Sequence, residues 1–286
     1  MVSKGIVEQI VSKPELSAYY GLYTVRNATQ APALTSALEH GLTHVHDVLA
    51  LDLTNLDNVR SVAEGIKVRV SAGENPPIRA LILNAVFQDF GKQSWTSDGL
   101  DTTFAANYLG HRLLTLLLLE SMDKEASRII VIGSQAHDPN DPRNARSKTF
   151  EDLRYKTFVS DAASFEAIAK GLDADPALNE ICVLGVEPGT MISGMQRLAP
   201  WFIRVLLFKM VYPLILYMNP DGPIRPTSRS AGDVLEAASG VGEEGGLPKN
   251  VFFDGRKLLE TSEESRDPTK RTSVEGNGQV SRLEGA

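Results

Sequence analysis

The sequence predicts an α/β fold, a doubly wound parallel sheet in one domain, on two observations. Apolar stretches of strand length alternate with amphipathic stretches of helix length along most of the chain. The strand stretches are also nearly continuous in apolar residues, as they must be where helices cover both faces of a parallel sheet.

Taken in order, strands are expected at residues 21–25, 45–51, 79–84, 128–134, 181–186 and 251–253. A helix over 6–12 follows Gly5. Thr54, with Asp57 three residues later, resembles an N-capping arrangement that opens a helix to about residue 70. Asp98 in the same way precedes a leucine-rich helical stretch through 122. Phe165, Ile168, Ala169 and Leu172 keep a helical spacing, enough for a short crossover over 162–172. From Arg256 onward the chain turns polar and charged, so the domain is drawn at 1–255 and residues 256–286 are expected to be a disordered tail.

Composition sets the bounds. A chain of 286 residues with 42% hydrophobic content buries one substantial core. Acidic residues outnumber basic ones by 36 to 29, and no Lys/Arg run tracks along a helix, so no nucleic-acid partner is expected. The single cysteine, Cys182, sits among Ile181, Val183 and Leu184 and reads as a small buried hydrophobe. Residues 1–13 contain neither an unbroken apolar segment nor a small-residue cleavage site, so an intracellular, cytoplasmic location is expected. His44 and His46 share a strand face, but no third ligand lies nearby in sequence and no metal site is expected.

The chemistry lies at the C-terminal ends of the strands, where a doubly wound sheet binds its ligand. Tyr23, Thr24, Val25, Arg26 and Asn27 close the first of them, and Leu51, Asp52 and Leu53 the second. Leu83, Asn84 and Ala85 follow, with Val86 next in line. Asn107, Tyr108, Leu109, Gly110 and His111 form an Asn-x-x-Gly-His segment, Gly133 and Ser134 end another strand, and Pro188, Gly189, Thr190, Met191, Ile192 and Ser193 end the next.

In that order the stations resemble those of the short-chain dehydrogenase/reductase family, over residues 5–255. The resemblance implies a Rossmann-type sheet and NADP as cofactor. It assigns Arg26 to the adenosine 2′-phosphate, Asp52 to adenine, and Asn84 to the turn bordering the ribose. Pro188, Gly189, Met191 and Ser193 go to the nicotinamide end. Ser134 is implied to hydrogen-bond the substrate carbonyl, and Asn107 to help hold a proton-relay water. Val86 stands where the family has glycine, and its side chain is expected to crowd the backbone approach to the ribose.

Two family features are missing from the sequence. The opening strand and its Thr-Gly-x-x-x-Gly-x-Gly turn are reduced to Gly5 and the helix after it. No tyrosine, at 19, 20, 23, 108, 155, 212 or 217, has lysine four residues later, so the proton-transferring Tyr-x-x-x-Lys pair is absent. Residues 150–171 resemble the loop before the catalytic helix in reductases of filamentous fungi, and 172–179 resemble the end of that helix. An internal deletion is therefore expected near Gly171 and Leu172, with most of the catalytic helix gone. Without its first strand, the sheet would leave unpaired backbone groups on two neighbouring strands. Those strands must close up, recruit other chain or stay wet, and low stability is expected.

The resemblance implies reduction of a carbonyl, or oxidation of an alcohol, on an apolar, secondary-metabolite-like substrate. The alternative is an inactive relative that binds an apolar ligand or a partner protein. The apolar run 201–218 reads as a lid over that substrate, or else as a peripheral membrane contact. Arg204, Lys209 and Pro213 interrupt it as a spanning helix. The family's homodimer uses its fourth and fifth helices, and the second of these is shortened here.

Overall fold

The computed structural model describes residues 2–41, 43–87, 93–133, 168–189, 225–239, 249–255 and 257–259. Strands run in the order β1 (Gly21–Val25), β2 (His46–Ala50), β3 (Ala80–Leu83), β4 (Arg128–Ile132), β5 (Cys182–Glu187), β6 (Val251–Asp254) and β7 (Lys257–Leu259). All six expected strands form, within two residues at each end, because fully buried parallel strands are recognisable as apolar runs.

The sheet is split. β1 and β2 pair in parallel as a two-stranded unit, while β3, β4, β5 and β6 pair in parallel, in that order, with β7 antiparallel on the outside. No pairing joins β1 to β3, so the two strands have not closed up. Burial follows the break. Every residue of β5 is buried, whereas β1 and β3 are mostly half-buried.

Helices hold the two halves together from both faces. On one face lie α1 (Val2–Ser12), α2 (Pro14–Ser17), α3 (Pro32–Leu38) and α7 (Thr227–Ser239). Ile6 of α1 packs with Ile130, Leu184, Val186 and Val234 on the larger sheet's side. Val7 and Val11 of the same helix pack with Ala37, Leu38, Tyr23 and Val48 on the smaller sheet's side. The other face carries α4 (Leu56–Ser71), a continuous helical run through α5 (Thr102–Phe104) and α6 (Gly110–Leu118), and helical residues 168–174. There Leu22 and Leu49 share a core with Leu81 through Val59, Ala63, Ile66, Leu114 and Leu118.

Several expected boundaries move. The first helix begins at Val2, four residues ahead of the expected start. Asn55, not Thr54, caps α4 by accepting from the Asn58 N–H at 3.0 Å, and Thr54 instead donates to Asp52. Asp101, not Asp98, caps the next helix by accepting from the Phe104 N–H at 2.9 Å. Residues 105–109 widen into one π turn before α6 resumes. The described part of the expected crossover, residues 168–174, is helical through Gly171 and Leu172. Ile168, Ala169 and Leu172 are buried against Ile129, Val131 and Val183.

The boundary at 255 is also corrected. Asp254 pairs with Lys257 as β7 comes back antiparallel onto β6, with Gly255 in the left-handed region at φ 61°. Residues 257–259 therefore belong to the domain rather than to a disordered tail. No helix among the described residues is long and apolar enough to cross a membrane. Residues 201–218 lie outside the described part.

Gly110 positions the long helix against the sheet. A Cβ there would stand 2.3 Å from the Leu53 carbonyl oxygen and 2.8 Å from the Leu53 Cβ. We expect Gly110→Ala to lower stability by about 1–3 kcal/mol, read as a shift of the urea midpoint. An unchanged midpoint would show that the helix is free to back away from β2.

Candidate active site

Parallel pairing collects the C-terminal ends of β1 and β2 on one edge, and those of β3 to β6 on another. Arg26 and Asp52 follow the two neighbouring strands of the smaller sheet. The Arg26 side chain is exposed and forms no ion pair among the described residues. Asp52 is half-buried; its Oδ1 accepts from the Thr54 N–H at 2.9 Å and the Thr54 hydroxyl at 2.7 Å. Its own N–H donates to Asn58 Oδ1 at 2.8 Å, so the carboxylate is held at a fixed place with Oδ2 left over.

On the larger sheet, the Asn84 amide donates to the Ser3 hydroxyl at 2.6 Å, which ties the end of β3 to the start of α1 across 81 residues of sequence. Val86, expected to crowd the ribose side, stands in the open with 68% of its surface exposed. Asn107, buried in the π turn, bonds the loop after β3. Its Oδ1 accepts from the Phe87 N–H at 2.8 Å, and its Nδ2 donates to the Phe87 carbonyl at 2.9 Å. The side chain thus clamps that loop, with one amide hydrogen and one lone pair left over. His111 assists, with Nε2 2.8 Å from the Ala85 carbonyl. That carbonyl can only accept, so Nε2 carries the proton and the ring is held as one neutral tautomer. Burial pushes the His111 pKa down, against the smaller upward pull of the same bond.

The third station, Pro188 and Gly189, is braced from below. Gly189 adopts φ 76°, and its N–H donates to Glu187 Oε1 at 3.1 Å. Ser230 of α7 donates its hydroxyl to the Pro188 carbonyl at 2.6 Å. Arg225, only 7% exposed, donates to the Glu187 carbonyl at 3.3 Å and pairs with Asp254 at 2.5 Å. Ser134, Met191 and Ser193 lie outside the described residues.

The structure therefore groups Asn84 with Asn107 through the 84–87 loop, and sets Arg26 beside Asp52. No hydrogen bond among the described residues joins these two groups. Ser3, Arg225 and Ser230 were not picked out from sequence. Each acts on a partner dozens of residues away, and a serine or arginine alone gives no local signal of that.

Proton-transfer chemistry is thin among the described groups. Burial pushes the Tyr23 hydroxyl up to about 12, and that hydroxyl lies 2.8 Å from His44 Nε2. Burial raises Tyr20 as well, helped by the neighbouring Asp47. Neither shift favours proton donation in the way a lysine partner would. His44 and His46 stack with their rings 5.7 Å apart. Both nitrogens of His44 are taken, by the Ser17 carbonyl at 3.1 Å and by Tyr23, which explains the pair as packing.

No family model matches the chain. A short-chain dehydrogenase, iccH, from Talaromyces variabilis is 33% identical over 330 aligned positions, covering 96% of this chain and 90% of that protein. Those positions outnumber the residues of this chain, so the relative carries residues with no counterpart here. A WW domain-containing oxidoreductase from Gallus gallus is 30% identical over 219 residues, 71% of this chain but only half of that protein. Among solved structures, an NADPH-bound carbonyl reductase from chicken fatty liver superposes with TM-score 0.60 at 14% identity, over 91% of this chain and 94% of its own. The angucycline C-6 ketoreductase LanV with bound NADP gives 0.61 at 18% identity, over 89% of each chain. These structures establish the fold, and the sequence relatives favour an oxidoreductase over the inactive alternative.

The His111 geometry makes stability depend on pH. Its folded pKa lies below the unfolded value of about 6.5, so the unfolded chain binds the proton first. Stability is then full above pH ~6.5 and falls as pH drops below it, until the folded ring titrates. Thermal midpoints between pH 7.5 and 5 should show this fall, and His111→Gln should flatten it. A wild-type midpoint that holds steady over that interval would contradict the assignment.

Proposed function

The chain belongs to the short-chain dehydrogenase/reductase family, and from that premise we propose an NADP(H)-dependent oxidoreductase. It reduces a carbonyl, or oxidises the matching alcohol, of an apolar, secondary-metabolite-like molecule. The observation that carries the nucleotide choice is Arg26, an exposed guanidinium at the end of β1 with no ion-pair partner among the described residues. A planar, permanently charged fork suits the 2′-phosphate dianion.

The neighbouring residues fit the adenosine half of such a nucleotide. Asp52 has Oδ2 available for the adenine amine once Oδ1 is committed to Thr54. Asn84, held by Ser3, borders the ribose, and the exposed Val86 leaves that approach open. Pro188 and Gly189, with Met191 and Ser193 beyond them, would take the nicotinamide end. The bound nucleotide supplies hydride chemistry. Ser134 orients the carbonyl, and Asn107 keeps the 84–87 loop in place.

What this chain supplies least is a proton donor. Loss of general acid–base participation is typically worth about 10²–10⁴ in rate, so turnover is expected to be slow by that measure. Residues of the Talaromyces relative that lack a counterpart here support an internal deletion, which we place near Gly171 and Leu172. We assign residues 201–218 to a lid over the apolar substrate, in preference to peripheral membrane contact, and homodimer formation to the α5–α6 face, where Leu116 is 46% exposed.

The test is titration with NADPH, following cofactor fluorescence and thermal midpoint together. Wild type should bind saturably. Arg26→Ala should weaken NADPH by about 10- to 100-fold, as for a lost charge-assisted contact, and leave NADH unchanged. A folded protein that binds neither nucleotide would retire this reading.

A further inference from the structure

Strands β5 and β6 end side by side, with Glu187 opposite Asp254. Gly133 N–H donates to the Val186 carbonyl at 3.0 Å, and beyond that rung the chain leaves the sheet through Pro188 and Gly189. A turn at the end of a sheet has no ladder to fix it, so its backbone groups are satisfied one by one. Side chains do most of that here. The Glu187 carbonyl accepts from Arg225 Nη1 at 3.3 Å and from the Gly255 N–H at 3.4 Å. The Pro188 carbonyl accepts from the Ser230 hydroxyl at 2.6 Å, and the Gly189 N–H donates to Glu187 Oε1 at 3.1 Å. Gly189 itself stands at φ 76°, a conformation that residues with a Cβ rarely adopt.

Arg225 and Ser230 reach this turn from one element. Pro226 disfavours helix at Arg225, and α7 begins directly after it at Thr227. Ser230 is wholly buried in the first turn of α7, whose Ala231 and Val234 pack with Ile6, Leu184 and Val186. The Arg225 guanidinium is also buried, and its fork spans two strand ends, with Nη2 on Asp254 of β6 at 2.5 Å and Nη1 on Glu187 of β5. Gly255 makes room for it, since a Cβ there would stand 2.9 Å from Nη1 and 3.0 Å from Cζ. A buried ion pair adds little stability over apolar side chains of the same size, because desolvation offsets most of the attraction. What the planar fork does supply is direction, holding acceptors on two different strands at one separation.

We propose that Arg225 and Ser230 are positioning residues for the nicotinamide end of the nucleotide, acting through the carbonyls of Glu187 and Pro188. The assignment rests on the oxidoreductase reading above and deepens it. Through these two tethers α7 sets where the Pro188 and Gly189 turn stands relative to β5, and with it the start of the segment that carries Met191 and Ser193. The adenosine half belongs to Arg26 and Asp52, at the ends of β1 and β2 on the other side of the break. Loosening the turn therefore weakens one half of the nucleotide and spares the other.

The test compares NADPH with 2′,5′-ADP, which carries the adenosine half alone. Arg225→Lys keeps a positive charge beside Asp254 and loses the fork, while Ser230→Ala removes the second tether and leaves the first. In both variants NADPH should weaken by about tenfold, the worth of one hydrogen bond lost at its nicotinamide end, while 2′,5′-ADP keeps its wild-type Kd. A purely structural role would lower the thermal midpoint and leave the ratio of the two affinities unchanged, and that outcome overturns the proposal. If Arg225→Lys fails to fold, Ser230→Ala decides alone. Wild type that binds both ligands, with variants that keep the ratio, sinks this assignment and leaves the oxidoreductase reading standing. Wild type that binds neither sinks both.

Discussion

The helix Val2–Ser12 is the element on which the rest of this molecule depends. A parallel sheet interrupted at its middle loses the hydrogen-bond ladder that would join its halves, and side-chain packing has to replace it. One turn of α1 supplies Ile6 to the core of the larger sheet, and the adjacent residues Val7 and Val11 meet α3 and the smaller sheet. Burying one such side chain is worth about 1.5–3 kcal/mol. A few residues of one helix thus carry a large share of what aligns the strand ends bearing Arg26 and Asp52 with those bearing Asn84 and Gly189. The opposite face repeats the arrangement through Val59, Ile66, Leu114 and Leu118.

Rigidity within each half is of a different kind. Around Pro188 and Gly189, buried polar groups do the positioning. Arg225 is removed from water, which is tolerable only because Asp254 and the Glu187 carbonyl receive its donors. Around Asn84 the same task falls to neutral hydrogen bonds that involve Asn107, His111 and Ser3. The two strand-end stations of the larger sheet are therefore fixed independently of one another, one through the π turn before α6 and the other through α7.

Much of this was legible in the sequence. Apolar runs such as 181–186 announce buried parallel strands directly, and the strand-end stations follow from where a doubly wound sheet binds ligands. The caps slipped by one and three residues because Thr54 and Asn55, or Asp98 and Asp101, are equally good capping residues, and only the final backbone path decides between them. β7 was hidden by its length of three residues, although Gly255 is the residue type that a tight turn at positive φ calls for. The roles of Arg225 and Ser3 depend on contacts to residues 29 and 81 positions away, which no local pattern encodes.

The outer rims of the two sheets differ from the rims at the break. On one side the sheet ends in β7, a strand of three residues. On the other it ends in β2, whose Asp47 is locked to Arg69 and Tyr20. Short edge strands and charged residues on edges are the usual means by which proteins resist stacking strand to strand with one another. Among the described residues the perimeter is therefore guarded against fibril-like self-association, and the strand edges left unpaired, those of β1 and β3, lie beneath the helices that span the break. During expression at high concentration, the region to protect is the interior seam, and clumping should begin there when the helices over it loosen.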